Sequence, residues 1–251
     1  MGATKFEFRF RVVIMWAVVT LGFWAPWTEP WGPWPGMGRR IPMLEWLALE
    51  LSRLGVASFT VASTMVILTA MLVAALSVVL RVWGTAYLGP FTASHEEMQA
   101  GAVLADGPYR YVRNPLYLGS WCMFTAMAFL MPVSGALFAT ALLTVFLLRL
   151  IVGEEAFLSG QLGEPYREYL CDVPRLLPRL RSKITPARRK PHWFPAAVAE
   201  LYPICVFLIL AVLAWRYDNW LMVRAIIVCF GFSVVVRALM PGVRKGADQA
   251  G

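Results

Sequence analysis

The chain has 251 residues, of which 59% are hydrophobic and 15% are charged, and it carries a net charge of +8. Soluble domains contain about 25% charged residues, so this composition excludes an ordinary soluble domain and predicts an integral membrane protein. Because lipid offers the backbone no hydrogen-bond partners, we predict an all-α fold whose helices satisfy their own backbone groups.

Apolar stretches predict about six transmembrane helices. Residues 56–80 form an uncharged run of 25 residues, and about 20 residues cross the hydrocarbon core as a helix. The next uncharged run, 116–148, has 33 residues and is too long for one crossing. Pro132-Val133-Ser134-Gly135 lies in its middle, so this run predicts a short helical hairpin. Three weaker spans complete the set, at 12–27, 194–215 and 219–239.

The distribution of basic residues predicts the side of the membrane on which each segment lies. With a cytoplasmic N-terminus and six crossings, the inside segments are 1–11, 81–115, 149–193 and 237–251. They hold 18 of the 23 Lys and Arg residues, in agreement with the positive-inside rule. We therefore predict cytoplasmic N- and C-termini, in the inner or plasma membrane of a prokaryote. Basic cytoplasmic segments contact anionic membrane lipids, so the positive charge does not require a nucleic-acid partner.

The chain divides into three predicted regions. Residues 1–55 form an N-terminal anchor helix and an outer loop, with a surface helix over 42–54 that lies along the membrane. Residues 56–190 form the membrane core, and residues 191–251 add two C-terminal transmembrane helices. The four cysteines form no C-x-x-C pair and the two histidines lie 97 residues apart, so we expect no metal site.

Polar residues suited to ligand binding are concentrated on both sides of the hairpin. Before it, the segment GPYRYVRNPLYLG (107–119) combines a Gly-Pro turn, a helix start at Asn114-Pro115, two arginines and three tyrosines. A helix start presents unpaired N–H groups. After the hairpin come Glu154 and Glu155. The two helices of a hairpin start and finish on one membrane face, so we predict that 107–115 lies near 149–155 and that together they form a cytoplasmic pocket.

Two interpretations of this pocket follow from the residues alone. N–H donors and arginines on one wall and carboxylates on the other suit a zwitterionic ligand with hydroxyl groups. Alternatively, the segment is an interfacial loop whose Arg and Tyr side chains extend to the membrane surface.

Three motifs between residues 82 and 178 resemble the superfamily of isoprenylcysteine carboxyl methyltransferases and phospholipid methyltransferases. The first is VWGTAYLGPFT (82–92). The second, GPYRYVRNPLYLG, resembles the family pattern G-x-Y-x-x-x-R-H-P-x-Y-x-G. The third is GEEAFLSGQLGEPYREYLCDVP (153–174), a Glu pair followed by Gly-x-x-Tyr and Val-Pro.

The resemblance implies S-adenosylmethionine as the methyl donor, bound by segments 101–119 and 149–178. The cofactor-binding residues that it implies are Gly101, Ala102, Val103, Leu104, Tyr109, Asn114, Pro115, Leu116, Tyr117 and Glu154. Asn114 replaces the family's histidine, and Leu150 occupies the position of a substrate-binding arginine, with Arg149 next to it. Tyr117 and Glu155 are candidates for a catalytic base, and Arg149 and Glu200 are candidates for substrate binding.

We therefore predict S-adenosylmethionine-dependent methyl transfer to a lipophilic or membrane-embedded carboxylate, amine or hydroxyl group. One alternative is an NADPH-dependent membrane reductase that acts on a sterol-like or isoprenoid lipid. Another is a non-catalytic relative that binds a lipid or a protein partner, which the change from histidine to Asn114 would favour.

Overall fold

The computed structural model describes residues 2–25, 41–88, 105–186, 189–216 and 218–239. Within these ranges the regular structure is helical, without strands, which confirms the all-α prediction for them. The α-helices are α1 (Lys5–Arg9), α2 (Arg11–Trp24), α3 (Met43–Arg53), α4 (Phe59–Leu88), α5 (Pro115–Ala128), α6 (Val133–Leu162), α7 (Glu164–Asp172), α8 (Trp193–Ala199), α9 (Leu201–Leu213) and α10 (Asn219–Leu239). Two 3₁₀ turns cover Gly107–Arg110 and Ala214–Arg216.

Three helices, α4, α6 and α10, are long and apolar enough to cross a membrane. The pair α8 and α9 adds a fourth span if the two helices, which meet at a bend of 71°, are counted as one. Helices α2 and α5 have 14 residues each, fewer than the 20 or so that span the hydrocarbon core. The described helices therefore indicate a membrane protein with three or four clear spans, and six crossings stay a prediction.

The hairpin predicted over 116–148 is present as α5 and the first half of α6. Helix α5 ends at Ala128, and Pro132 immediately precedes α6, a position where the missing N–H of proline costs no hydrogen bond. Across the hairpin, the indole Nε1 of Trp121 donates to the hydroxyl of Thr144 at 2.8 Å. Helix α6 then continues two turns past Glu155 and ends before Gly163, whose φ of 64° suits glycine.

Hydrogen bonds between distant segments define two ends of the helical bundle. At one end, Ala3 N–H donates to the carbonyl of Arg149 and His192 N–H donates to the carbonyl of Ala86, both at 2.9 Å. At the opposite end, the Met43 N–H donates to the Met131 carbonyl at 2.8 Å. The chain thus passes back and forth between the ends, and residues 2–11, the loop before α5 and the second half of α6 share one end. We call it the site end.

Close contacts between helices build the core around the hairpin. Helix α2 crosses α6 where Gly22 and Gly135 meet, and a Cβ on Gly135 would collide with the Gly22 carbonyl. Trp16 of α2 packs edge-on against Phe124 of α5 and Tyr202 of α9, with ring centroids 5.9 and 5.2 Å apart. These aromatic contacts connect α9 to the hairpin through α2.

The remaining sequence predictions for the fold fall partly outside the described residues. The helix predicted over 42–54 is observed as α3, which packs against α4 and has Leu44 and Ala48 buried. Its position along the membrane surface stays a prediction. Most of the outer loop and the C-terminal residues 240–251 lie outside the described ranges. The three-region division and the cytoplasmic termini stay predictions.

Candidate functional site

The loop before α5 is shaped by a glycine turn and held by backbone hydrogen bonds. Gly107 has φ of 56°, and a Cβ there would collide with the ring of Tyr87, so both conformation and space require glycine. Arg110 donates from Nε and Nη2 to the carbonyl of Ile184 at 3.0 and 2.7 Å. The Arg113 N–H donates to the Pro174 carbonyl at 2.9 Å. The segment after α7 therefore lies directly against the loop.

Glu155 is the centre of the polar contacts between the loop and α6. Its buried carboxylate receives Arg113 Nη1 at 3.1 Å and Asn114 Nδ2 at 3.3 Å. Arg175 adds a two-nitrogen contact, with Nη2 2.7 Å and Nε 3.1 Å from Oε2. These contacts confirm that 107–115 lies near 149–155. Because both carboxylate oxygens already accept hydrogen bonds, Glu155 is suited to positioning Asn114 and Arg113.

Glu154, one residue earlier, faces a different neighbour. Its carboxylate interacts with the hydroxyl of Tyr117 in the first turns of α5. Both side chains are half-buried. Tyr117 also packs with Phe146, Leu147 and Leu150. Two residues predicted to bind the cofactor are thereby brought together across the hairpin, one on each of its helices.

Tyr109 presents a buried hydroxyl with no hydrogen-bond partner among the described residues. Its backbone is fixed, because the Tyr169 hydroxyl donates to the Tyr109 carbonyl at 2.8 Å. Burial, and next the negative charge of Glu154, raises the pKa of Tyr109 well above its usual value. Burial also raises the pKa of Tyr166 and Tyr169, so the phenols around the loop stay neutral hydrogen-bond donors at physiological pH.

The other predicted cofactor residues are placed as follows. Pro115 and Leu116 start α5 and pack against α4, where a Cβ on Gly84 would lie 2.8 Å from Leu116 Cδ2. Gly101, Ala102, Val103 and Leu104 lie outside the described residues.

The two predicted substrate-binding residues pair with protein groups. Arg149 donates to both carboxylate oxygens of Glu7, from Nε at 3.1 Å and Nη2 at 2.9 Å. Glu200 is buried at the bend between α8 and α9, where Arg81 Nε and the Thr85 hydroxyl donate to it at 2.6 and 2.7 Å. Both charges therefore connect separate parts of the fold, and their role in substrate binding stays a prediction.

Sequence reasoning missed the partners of the predicted carboxylates. Arg175 directly follows Val173-Pro174, the end of the third motif, and this position was a usable signal. Arg81 is the first charge after the uncharged run 56–80, and it pairs with Glu200, 119 positions later in the sequence. Nothing in the local sequence identifies that pairing. Glu7 likewise gave no signal, because it pairs with Arg149, 142 positions away.

Comparisons with known proteins show which proteins this part of the chain is similar to. Residues 57–164 match the family model of phospholipid methyltransferases. A methanethiol S-methyltransferase of Crocosphaera subtropica is 39% identical over 75 residues, which is 30% of this chain and 29% of the relative. A protein-S-isoprenylcysteine O-methyltransferase of Schizosaccharomyces pombe is 38% identical over 78 residues, which is 30% of this chain and 33% of the relative.

These matches confirm the predicted resemblance to integral-membrane methyltransferases. The family match includes α4, the loop, the hairpin and both glutamates. The aligned part of the chain spans a third or less of the length of the curated relatives. No solved structure matches the chain significantly.

Proposed function

We propose that the protein transfers a methyl group from S-adenosylmethionine to a lipophilic acceptor in the membrane. The observation that carries this proposal is the buried hydroxyl of Tyr109, which lacks a partner among the described residues and lies within the electrostatic reach of Glu154. A buried hydroxyl without a hydrogen-bond partner lowers the stability of the fold. A polar ligand group that bonds to this hydroxyl would account for its presence. The match of residues 57–164 to phospholipid methyltransferases supports a methyl donor as that ligand.

The residues present fit the proposed cofactor. Glu154 would accept hydrogen bonds from ribose hydroxyls or an ammonium group, and the Tyr109 hydroxyl would donate to a polar atom of the ligand. Tyr117 and Leu116, which are half-buried, would provide aromatic and aliphatic surface for a purine ring, whereas Pro115 is buried against α4. When bound, S-adenosylmethionine supplies an electrophilic methyl group.

The protein's own contribution to the reaction is alignment and the exclusion of water. Glu155 holds Asn114 and Arg113, and thereby fixes the start of α5 and the position of Tyr117. Where the acceptor must lose a proton, Tyr117 can take it only by passing its own phenol proton to Glu154, the carboxylate with which its hydroxyl interacts. Glu155 is less suited, since its carboxylate is engaged by two arginines. A carboxylate acceptor needs no base.

The described residues also offer apolar surface for a lipophilic acceptor. A groove of about 570 Å³ runs between α4 and the bent pair α8 and α9. Apolar side chains line it, among them Val79, Val82, Trp83, Ala197, Ile204 and Leu208. The ring of Trp83 lies 6.0 Å from the ring of Tyr111 in the loop. We propose that the hydrocarbon part of the acceptor lies in this groove with its polar end towards the loop.

The named relatives differ in their acceptors, so the acceptor group is left open. One relative is named for methanethiol and the other for protein-S-isoprenylcysteine. In this chain Arg149 pairs with Glu7, so a free arginine for an acceptor carboxylate is not provided there. Membrane lipid extracts incubated with the isotopically labelled methyl donor would identify the acceptor by the labelled product.

Calorimetric titration tests the proposed cofactor. The purified protein, in detergent and in nanodiscs, should bind S-adenosylhomocysteine and should not bind NADPH. Arg110, Arg113 and Arg175 already donate to protein acceptors, which disfavours a dinucleotide phosphate at the loop. Binding of NADPH without S-adenosylhomocysteine would establish the reductase alternative. Binding of S-adenosylhomocysteine without transfer to any extracted lipid would favour a non-catalytic relative.

A further inference from the structure

The N-terminal segment, residues 2–11, docks against the part of α6 that carries Glu154. Ala3 N–H donates to the Arg149 carbonyl at 2.9 Å. A Cβ on Gly153 would lie 3.0 Å from both the Ala3 nitrogen and Cε2 of Phe8. The Glu7–Arg149 ion pair secures the same contact. This segment lies outside the part of the chain that matches the family, yet it touches the residue next to Glu154.

The same segment forms a wall of the Tyr117 environment. Ala3 and Phe8 pack against the apolar cluster of Phe146, Leu147 and Leu150, to which Tyr117 also belongs. Arg11 follows at the start of α2 and donates from Nη1 to the Phe8 carbonyl at 3.0 Å. Phe8 in turn contacts Gly153, so Arg11 is connected to the site through one residue.

Arg11 differs from the other arginines around the site in its hydrogen bonding. Arg113 uses all three guanidinium nitrogens, on the Val173 and Leu170 carbonyls and on Glu155. Arg149 and Arg175 are paired with glutamates. Arg11 has one bonded nitrogen, and its Nε and Nη2 have no partner among the described residues. It is half-buried, and its positive charge acts on both Glu154 and Tyr117.

We propose that Arg11 binds the carboxylate of the cofactor's amino-acid moiety, while Glu154 accepts its ammonium group. A zwitterionic group requires one cation and one anion near each other. The charge of Arg11 acts on Glu154, and the segment that carries Arg11 contacts Gly153, the residue next to Glu154. A guanidinium has a fork of donors that matches a carboxylate. Asn114, at the position of the family's histidine, is hydrogen-bonded to Glu155 and cannot become cationic. This inference depends on the proposed function, because it assigns one contact of that cofactor.

Calorimetry with two ligands isolates this contact. S-adenosylmethionine and its decarboxylated form differ only in the carboxylate, and both are titrated without an acceptor. In Arg11→Gln, S-adenosylmethionine should bind about tenfold to hundredfold more weakly than in the wild type, as expected for the loss of a charged hydrogen bond. The decarboxylated ligand should bind Arg11→Gln and wild type within about twofold. The affinity of Arg11→Lys for S-adenosylmethionine should lie between those of the wild type and Arg11→Gln.

Arg9→Gln provides the matched control. Arg9 is an exposed cation two residues earlier, with its guanidinium 5.8 Å from the ring centre of Phe10. The Arg9→Gln variant should bind both ligands as the wild type does. An equal loss of both ligands in Arg11→Gln would show a structural role and overturn the inference, and so would unchanged binding of S-adenosylmethionine. If the wild type binds neither ligand, the proposed function itself is wrong.

Discussion

Arg175 and Glu155 form a two-nitrogen ion pair across 20 positions of sequence, and Arg113 and Asn114 share the same carboxylate. Three segments, the loop, α6 and the residues after α7, therefore meet at one side chain. The side chain of Glu155 is 6% exposed and that of Arg175 is 47% exposed. The two partners are thus in different dielectric environments, and their removal should have unequal effects.

Replacing Glu155 should destabilise the protein more than replacing Arg175. Glu155→Ala leaves Arg113 and Asn114 without their shared acceptor, and the loss of one partner of a buried ion pair costs about 3 kcal/mol. Arg175→Ala removes a partner that is half in solvent, so the cost should stay below about 1 kcal/mol. Thermal unfolding in detergent measures both. Equal shifts in Tm would contradict the central role of Glu155.

Replacing Glu154 should weaken cofactor binding while the fold is retained. Glu154→Gln keeps the size of the side chain but removes the negative charge that the ligand's hydroxyl or ammonium groups would contact. The loss of a hydrogen bond to a charged group should raise the Kd for S-adenosylhomocysteine about tenfold or more. Glu164→Gln is the control, since Glu164 is exposed and pairs with Arg167 on the surface of α7. Unchanged affinity in Glu154→Gln would remove Glu154 from the site.

The sequence predicted which segments lie together better than it predicted the pairing of their side chains. Hairpin geometry follows from the length of an uncharged run and a central proline, so the proximity of 107–115 to 149–155 was predictable. The different partners of Glu154 and Glu155 were not predictable, because adjacent helix positions point about 100° apart and the rotation of α6 is set by tertiary packing. That rotation directs Glu155 to Arg175 and Glu154 to Tyr117.

Contacts with the terminal regions were the least predictable part. Glu7 and Glu200 each pair with an arginine more than 100 positions away, and a single sequence contains no local pattern for such pairs. Glu200 was predicted to bind substrate because a charge in or near a membrane helix indicates function, and Arg149 because it is next to Leu150, the position of the family's substrate-binding arginine. The structure shows that a charge at such a position can also connect helices.

Removing the Tyr109 hydroxyl should raise the stability of the protein and weaken its binding of the ligand. In the protein without ligand, the buried hydroxyl has no partner among the described residues, so Tyr109→Phe should raise the free energy of unfolding by about 1 kcal/mol. The same change should weaken S-adenosylhomocysteine binding, because the ligand loses a donor. Thermal unfolding without ligand and calorimetry with ligand measure the two effects. Lower stability and unchanged affinity would place the hydroxyl outside the ligand site.

The Glu7–Arg149 ion pair should make stability depend on pH in the acid range. Hydrogen bonding to Arg149 lowers the pKa of Glu7 from 4.5 to about 2. A carboxyl group with a lower pKa in the folded state contributes stability that is fully present above pH 4.5 and lost as pH falls towards 2. The difference in Tm between wild type and Glu7→Gln should therefore shrink over this range. A constant difference would mean that the ion pair does not stabilise the docked N-terminal segment.

Filling the groove between α4 and the bent pair α8 and α9 should impair methyl transfer without affecting cofactor binding. Ala197→Phe adds a ring to the apolar lining and should raise KM for the lipophilic acceptor several-fold, because its hydrocarbon part must displace that ring. S-adenosylhomocysteine affinity should be unchanged, since the groove contacts the loop through Trp83 and not through Glu154. Leu76→Phe, on an exposed part of α4 outside the groove, is the matched control. An Ala197→Phe variant with wild-type KM for the acceptor identified from labelled lipid extracts would show that the acceptor reaches the site by another path.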